Sequence, residues 1–391
     1  MPTLAAGSDV STEEIVADEK VVDMDPTMRL LDPDSTQFDT YTRRQASRAA
    51  TREKVNWLEE EYVGRILTAA AYTSGATTIN VGAGEGNLVR AGDVLRNMRT
   101  GEGFRVSSIA TDALTVVTSW GGAANAAGNA GDKLLVVGPA MQQGSSLPNP
   151  RYQQRVLGFN YTQIERTPWM FTGTAAAINL YGGAEPGKES ARAAVVHKRT
   201  WEAVGFFGAR DFSSAADVVV GSAGGVVEFV QTNKQNVNGE LTSDFLDSFM
   251  ATVLAKGSED KVIFTGTIGA YYISRFHRSG QGAFWRPGNE RVHGVKVDGF
   301  ISGVFGTQVP VIVKKEWADF PSGVNGYNGN LFVLDMSNIE RRPLTGRDTR
   351  RIVYDIKSLG SGRDAEGGEY FTEATYTFAQ EKTHGWLYGI A

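Results

Sequence analysis

The chain contains no cysteine and only four histidines in 391 residues. Disulfides, thiolate nucleophiles and zinc sites built on sulfur are therefore excluded. His197, His277, His293 and His384 are scattered with no H-x-H or H-x-x-x-H spacing, so no imidazole metal site is indicated. Long apolar runs are missing too, and nothing in the sequence is apolar enough to span a bilayer. The opening "MPTLAAGSDVSTEEIVADEK" lacks the basic start and apolar stretch of a secretory signal. A basic surplus is also lacking: the formal charge is −5, which argues against a dedicated nucleic-acid binder. Glycine, by contrast, is abundant at 46 residues, and helical periodicity is sparse. That combination describes strands and loops with a few helices, and the length suits two or three sub-domains.

Residues 1 to about 50 set isolated apolar side chains (Met28, Leu30, Leu31, Phe38, Tyr41) between Pro and Asp breakers. Ordering each backbone residue costs about 1–2 kcal/mol, and such a segment has too little apolar surface to offset that alone. It reads as an arm, either disordered or laid along another surface, its own or a neighbour's. From Val55 to Ala71 the reading stays open. Val55, Leu58, Tyr62 and Ile66 fit a helical stripe, but the stretch could equally enter a strand. Residues 76–139 hold five short apolar or alternating runs separated by Gly-, Asn- and Asp-rich turns. This is the pattern of a small antiparallel barrel or sandwich, here inserted in a larger body.

A helix is predicted over Pro186–Arg210, about 37 Å long, with Pro186 in its first turn and Glu185 and Glu189 at the positive end of its dipole. Its apolar stripe reads Ala191, Ala194, Val195, Trp201, Val204 and Gly208. A second helix lies in "GELTSDFLDSFMATVLAKGS" with Thr242 or Ser243 as cap, "DKVIFTG" is a buried strand, and "TIGAYYISRFHR" is a third helix. "QVPVIVKK", "GNLFVLDMSNIERRPL" and "RRIVYDI" are strands and loops leading to the closing segment. There, Ala374, Tyr376, Phe378, Trp386, Tyr388 and Ile390 form one face of a period-two strand, and Glu373, Thr375, Thr377, Glu381 and Thr383 the other. His384 falls on the aromatic face, as a packed and hydrogen-bonded residue instead of a general base.

The nearest approach to a catalytic motif is "GGAEPGKE". Gly182, Gly187 and Lys188 match the core of a phosphate loop, but Glu189 replaces the magnesium-binding hydroxyl and Pro186 removes an N–H from the cradle. It reads as a glycine turn feeding a proline-started helix. "GAGEG" (Gly82–Gly86) lies inside the β insertion and is a loop. There is no G-x-S-x-G elbow, and Glu59, Glu60 and Glu61 form a solvated face. Two basic clusters remain: Arg43, Arg44, Arg48 and Arg52 in the arm, and Arg341, Arg342, Arg347, Arg350 and Arg351 nearer the C-terminus. Either could meet nucleic acid non-specifically, or be surface charge balanced by Asp and Glu. "FHRSGQGAFWRPG" mixes Phe276, Phe284 and Trp285 with Arg278 and Arg286, as a base-stacking platform or a protein interface would. No catalytic, cofactor-binding or metal-binding residue is assigned, and no cofactor is expected.

The order of these elements resembles the major capsid proteins of tailed bacteriophages, with their α+β Hong Kong ninety-seven-like fold, in a branch whose extended loop carries an inserted β module. "NLFVLDMSNIERRPLTGRD" (Asn330–Asp348) is similar to the strand and following stretch before the family's final hairpin. "GGEYFTEATYTFAQEKTHGWLYGI" is similar to its closing strand through Gly368, Glu369, Tyr370, Thr372, His384 and Gly389, although Gly385 and Trp386 stand where an alanine and a smaller residue are usual. The resemblance implies an N-terminal arm over 1–54, extended-loop limbs over 55–75 and 150–182, and an inserted module over 76–140. It further implies a peripheral domain with a spine helix over 183–240 and an axial domain over 241–391, whose last strands return to the peripheral domain.

On this reading the chain is not an enzyme but a subunit that assembles with copies of itself, as hexamers and pentamers, into an icosahedral shell around double-stranded DNA. Scaffold, portal and decoration proteins are further partners, the inner face touches DNA, no membrane is involved, and assembly in the host cytoplasm places the chain in the virion. Deleting residues 1–50 is then expected to abolish assembly while leaving the body folded. The alternatives are a phage decoration or tail structural protein and, more remotely, a nucleotide-binding enzyme using residues 182–189.

Overall fold

The computed structural model describes residues 36–45, 47–62, 64–145, 154–178, 185–213, 219–278, 284–286, 291–292, 295–296, 298–301, 308–323, 326–354 and 365–391. Met28, Leu30, Leu31, Gly182, His293 and the side chains of "FHRSGQGAFWRPG" beyond Phe276 lie outside the described residues. The chain divides into two compact units, residues 58–157 and the remainder.

The stretch left open between helix and strand is extended. Strand β1 (Lys54–Glu59) pairs with β8 (Val156–Tyr161) as a two-stranded ribbon. Trp57 and Val55 alternate with exposed Lys54 and Asn56, which suits a strand and leaves a helix no continuous apolar stripe.

Within residues 58–157, six strands form one antiparallel sheet: β2 (Ile66–Thr68), β3 (Thr78–Asn80), β4 (Asp93–Asn97), β5 (Gly103–Ala110), β6 (Ala113–Val117) and β7 (Lys133–Pro139). Their order is β2-β7-β4-β5-β6-β3. The two ends meet: Ala69 bridges Val81, Ala70 N–H donates to Asn80 O (2.8 Å) and Gly82 N–H to Thr68 O (2.9 Å). The sheet is thus a closed barrel, which leaves no strand edge to pair elsewhere. Its interior is filled by Leu67, Ile79, Leu95, Phe104, Val106, Leu114, Leu134 and their neighbours. Buried Asn97 donates to Tyr72 Oη (2.8 Å) and Asp132 (3.1 Å), so its amide nitrogen is satisfied inside the barrel. The expected boundary at residue 76 is corrected here, because β2 belongs to the barrel. Three residues are too few to show a period in sequence. A fragment spanning residues 64–142 is expected to unfold cooperatively in urea by circular dichroism; a broad, non-cooperative loss of signal would show that the barrel depends on the body.

The body contains helices α1 (Gln37–Arg44), α2 (Gly173–Ala177), α3 (Glu185–Phe207), α4 (Val226–Phe229), α5 (Ser243–Leu254) and α6 (Thr267–Arg278). Thr172 caps α2 and Thr242 caps α5, its hydroxyl accepting from Phe245 N–H (3.3 Å). Strands β12 (Lys234–Gly239), β13 (Lys261–Thr265), β14 (Phe284–Arg286), β17 (Asp298–Ile301), β18 (Gln308–Val313), β19 (Leu331–Asp335) and β23 (Gly385–Ile390) build a mixed seven-stranded sheet in the order β12-β23-β19-β13-β18-β17-β14. The two-stranded pairs β10 (Asp211–Ser213) with β11 (Val220–Ser222) and β15 (Arg291–Val292) with β16 (Val295–Lys296) stand apart from it.

"DKVIFTG" becomes β13, in the middle of this sheet and buried along its whole length, as its continuous apolar run requires. Alternate residues feed two cores. Val262, Phe264, Phe332, Leu334 and Trp386 join Trp201, Phe206 and Phe38 on one face, whereas Ile263, Leu331, Val333 and Leu387 join Phe249, Met250 and Ile273 from α5 and α6 on the other.

A second sheet centres on the long strand β22 (Ala365–Phe378). Strand β9 (Gln163–Thr172) pairs along one edge of β22, while β21 (Arg350–Tyr354) and β20 (Ile339–Pro343) share the other edge end to end. Helix α3 covers this sheet. Its buried stripe is Ser190, Ala193, His197, Trp201 and Val204, not the expected one through Ala191, Ala194 and Val195. The rotation follows from polar contacts to the sheet. His197 meets Thr167 and Thr372, and Ser190 meets Tyr370, so two polar residues face inward.

The closing segment is likewise corrected from one strand to two. Gln380 adopts a left-handed φ of 54°, a short turn spans Glu381–Thr383, and β23 then enters the other sheet. Both faces of β22 are covered: Thr372, Thr375 and Thr377 are as buried as Tyr376 and Phe378.

Candidate functional site

The arm does not run free after residue 35. Helix α1 packs into the larger core, with Phe38 fully buried among Phe206, Phe264 and Tyr376 at ring-centroid distances of 4.8, 5.7 and 5.5 Å. Gly205 permits this approach, since a β-carbon there would stand 2.6 Å from the Phe38 ring. Tyr41 is buried too, and its hydroxyl donates to Asp260 (3.1 Å).

Beneath α1 lies a buried ionic junction. Thr36 offers no side-chain cap, so the first turn is capped from α3: Glu202 accepts from Phe38 N–H (2.9 Å) and Asp39 N–H (2.6 Å). A carboxylate at a helix N-terminus is favoured by the dipole and by the free N–H groups. Lys314 Nζ donates to the same carboxylate (2.6 Å) and to Gln37 Oε1 (2.8 Å). Burial pushes the Glu202 pKa up, against the pull of Lys314 and the two N–H groups. Further along α1, Arg43 donates to Asp39 (2.6 Å) and to Thr349 (2.9 Å), while Tyr376 Oη donates to the other oxygen of Asp39 (3.3 Å). Arg341, itself buried, lies 3.7 Å from Asp39 and donates to Asp348 (2.8 Å).

Next to this junction His197 is clamped between two strands, Nδ1 at 2.9 Å from Thr167 Oγ1 and Nε2 at 2.7 Å from Thr372 Oγ1. Glu165 stands 3.6 Å from Nδ1. Burial lifts Glu165 to about 7 and lowers His197 to about 4, with Arg43 adding to the latter. At neutral pH the imidazole is uncharged.

His384 is the packed residue its aromatic setting suggests. It follows the turn between β22 and β23, fully buried, and its Nδ1 accepts from Asp335 N–H (3.1 Å). Burial lowers its pKa to about 4. Beside it Lys261 donates to Thr383 O (2.7 Å) at 3.7 Å from Asp335. Burial alone would raise the Asp335 pKa, but the donors of Ser258 and Ser337 outweigh it and hold the carboxyl low. These contacts fasten the turn; nothing in them forms a nucleophile and base.

Of the remaining sequence candidates, Gly187 and Lys188 already lie inside α3, and Glu189 is paired with Arg192. Glu85 of "GAGEG" accepts from Thr68 N–H (2.5 Å), so the loop braces the barrel. The basic clusters are largely matched by carboxylates: Arg43 with Asp39, Arg341 with Asp348, Arg342 with Glu340 and Arg347 with Glu373. Arg350 and Arg351 lie over the rings of Phe371 and Trp169. Among the described residues no cluster of acidic or histidine side chains could hold a metal ion. Glu202 and Lys314 were not apparent from sequence. They are separated by 112 positions, and no local pattern marks either as the other's partner.

A family model described as the SU10 major capsid protein matches residues 6–391. The major capsid protein of Pseudomonas phage PaMx41 is 29% identical over 220 residues, which cover 53% of this chain and 52% of that protein. The match thus spans about half the length of that relative. The capsid of a native GTA particle aligns with a TM-score of 0.50 at 10% identity, over 99% of this chain and 100% of the other. A structure from Mycobacterium phage Bobi aligns at 10% identity and a TM-score of 0.49, over 98% and 99% of the two chains.

Proposed function

This chain belongs to the SU10 major capsid protein family, and from that premise we propose that it is the structural subunit of an icosahedral shell built from copies of itself around viral double-stranded DNA. Its α+β fold is that of the Hong Kong ninety-seven-like capsid proteins. The family match over residues 6–391 carries the reading, because it spans arm, barrel and body together. The physical character of the chain supports a geometric role. Its buried charges fasten one element to another, and its barrel is closed.

In this reading residues 1–54 are the arm, 55–75 and 150–182 the loop limbs, the first of which lends β2 to the inserted barrel, 183–240 the peripheral domain and 241–391 the axial domain. Many moderate contacts, summed by closure of the shell through effective concentration, would hold it together. Scaffold, portal and decoration proteins would be met at its faces, with DNA on the inner one and assembly in the host cytoplasm. The purified chain is expected to sediment as rings or closed particles and to show shells by electron microscopy. Fibres or plugs would indicate a tail component instead, and a monomer at every concentration would end the shell reading.

A further inference from the structure

The barrel commits its carboxylates internally. Its five acidic residues between 64 and 145 each accept from nearby backbone or side-chain donors. Glu85 takes Thr68 and Gly82 N–H, Asp93 takes Arg90 N–H, Glu102 takes Ala126 N–H, Asp112 takes Gly84 and Gly86 N–H, and Asp132 is held by Arg99. Arg99 apart, the cations on the strand faces are not held by these carboxylates. Arg96 and Lys133 form no ion pair among the described residues, Lys133 Nζ donating instead to Thr68 Oγ1 (2.8 Å), and both are exposed.

Strand register gathers these cations on one outer face. Ile66 lies opposite Leu135, and Leu135 opposite Arg96; one row along, Thr68 lies opposite Lys133, whose carbonyl accepts from Met98 N–H. Cross-strand neighbours stand about 4.5–5.5 Å apart, so cations and exposed aliphatic side chains alternate across the face. Ile66 and Met98 are both more than half exposed. Because the barrel is closed, a partner cannot be added as a further strand and must be held by these side chains.

A segment of matching chemistry lies at the other end of the sequence. Residues 1–35 carry nine acidic and two basic residues, whereas residues 36–391 carry 35 acidic and 37 basic. Within it, Thr12–Asp25 interleaves Glu13, Glu14, Asp18 and Glu19 with Ile15, Val16, Val21 and Val22. The eleven residues from Asp25 to Ser35 can extend about 35 Å from the fastened helix α1. We infer that Thr12–Asp25 of one copy docks on the outer face of the barrel of a second copy, its acids on Arg96 and Lys133 and its aliphatic residues on Ile66, Leu135 and Met98. A DNA backbone would satisfy the cations but leave those three apolar side chains without a partner. The inference rests on the shell reading, which sets copies side by side.

The test uses assembled particles made from mixed ¹⁵N-labelled and unlabelled chains. A carbodiimide joins a lysine amine to a carboxylate it touches, forming an amide while the carbodiimide takes up the lost water and becomes a urea. Mass spectrometry is expected to find Lys133 joined to Glu13, Glu14, Asp18 or Glu19 in peptides of mixed label. Cross-links of like label only would mean docking within one chain, and no cross-link at Lys133 would mean no docking; either overturns the inference. Protection of Lys133 in DNA-filled but not in empty particles would assign the face to nucleic acid and overturn it too. As a second arm, Arg96→Glu with Lys133→Glu is expected to raise the concentration needed for assembly at least about tenfold, with recovery when Glu13, Glu14, Asp18 and Glu19 are changed to Lys. Recovery failing while circular dichroism shows both variants folded would again count against it. Particles that form without mixed cross-links sink the docking alone; failure of the wild-type chain to form particles sinks the shell reading.

Discussion

A chain beginning at Ser35 will unfold cooperatively, and a chain beginning at Thr51 will not. The difference is helix α1. Truncation at residue 50 removes Phe38 and Tyr41 from the main core and strips Glu202 of the two N–H groups it caps. Emptying the site of a fully buried phenylalanine costs about 3–5 kcal/mol, and leaving a buried carboxylate short of its donors adds about 1–3 kcal/mol for each. Against a typical stability of about 5–15 kcal/mol these losses leave little or nothing. The expectation that residues 1–50 can be deleted with the body intact is therefore replaced. Phe38→Ala alone should lower stability by about 3–5 kcal/mol in urea unfolding of the unassembled subunit. Equal midpoints for the two truncations would show that α1 contributes nothing to the fold.

Wild-type stability will be nearly flat between pH 4.5 and 6.5 as far as Glu165 and His197 are concerned, and removing either group will expose a slope of opposite sign. Unfolded, these groups titrate near 4.5 and 6.5; folded, burial moves them to about 7 and about 4. Between pH 4.5 and 6.5 each state of the chain therefore holds one proton on the pair, on His197 when unfolded and on Glu165 when folded. Proton uptake is equal, and so the slope is zero.

In Glu165→Gln only the histidine remains. Its depressed folded pKa contributes stability that is full above 6.5 and lost as pH falls through 4, about 3 kcal/mol in all. In His197→Gln only the raised carboxyl remains. Its contribution is full below 4.5 and lost as pH rises through 7, by a similar amount of about 3 kcal/mol. Arg43, Arg341 and Asp39 surround the pair in both variants and set the baseline. Urea titrations of the unassembled subunit at pH 4.5 and 7, each variant referenced to wild type, read the two slopes directly. Parallel lines for all three proteins would mean that the pair does not titrate differently on folding.

What could be read from the sequence was whatever is written locally. Helix α5 announces itself through Thr242 and a periodic stripe, β13 through an unbroken apolar run, and the barrel through regularly spaced turns. Features set by distant partners were not legible. Phe38 appears isolated because its neighbours are Phe206, Phe264 and Tyr376, and nothing within ten residues of Glu202 hints at Lys314. The division of the closing segment escaped because Gln380 takes the left-handed conformation without a glycine or proline to signal it. The face of α3 was misjudged by about one residue because the pattern counts apolar side chains, while Ser190 and His197 turn inward to reach hydroxyls on the sheet. Residues 37–44 read as part of an arm, either disordered or laid along a surface, its own or a neighbour's; they form helix α1, with Phe38 and Tyr41 in the subunit's own core.

The pairing of β1 with β8 sets the chain's departure from the body and its return side by side. Entropically, the body registers only that short gap and not the hundred or so residues between, since closing a longer loop costs only about 0.6 kcal/mol for each doubling of its length. The position is thus a socket. Any compact domain whose ends lie as near together could occupy it without altering the fold that carries it, so the inserted domain can be exchanged independently of the framework that holds it.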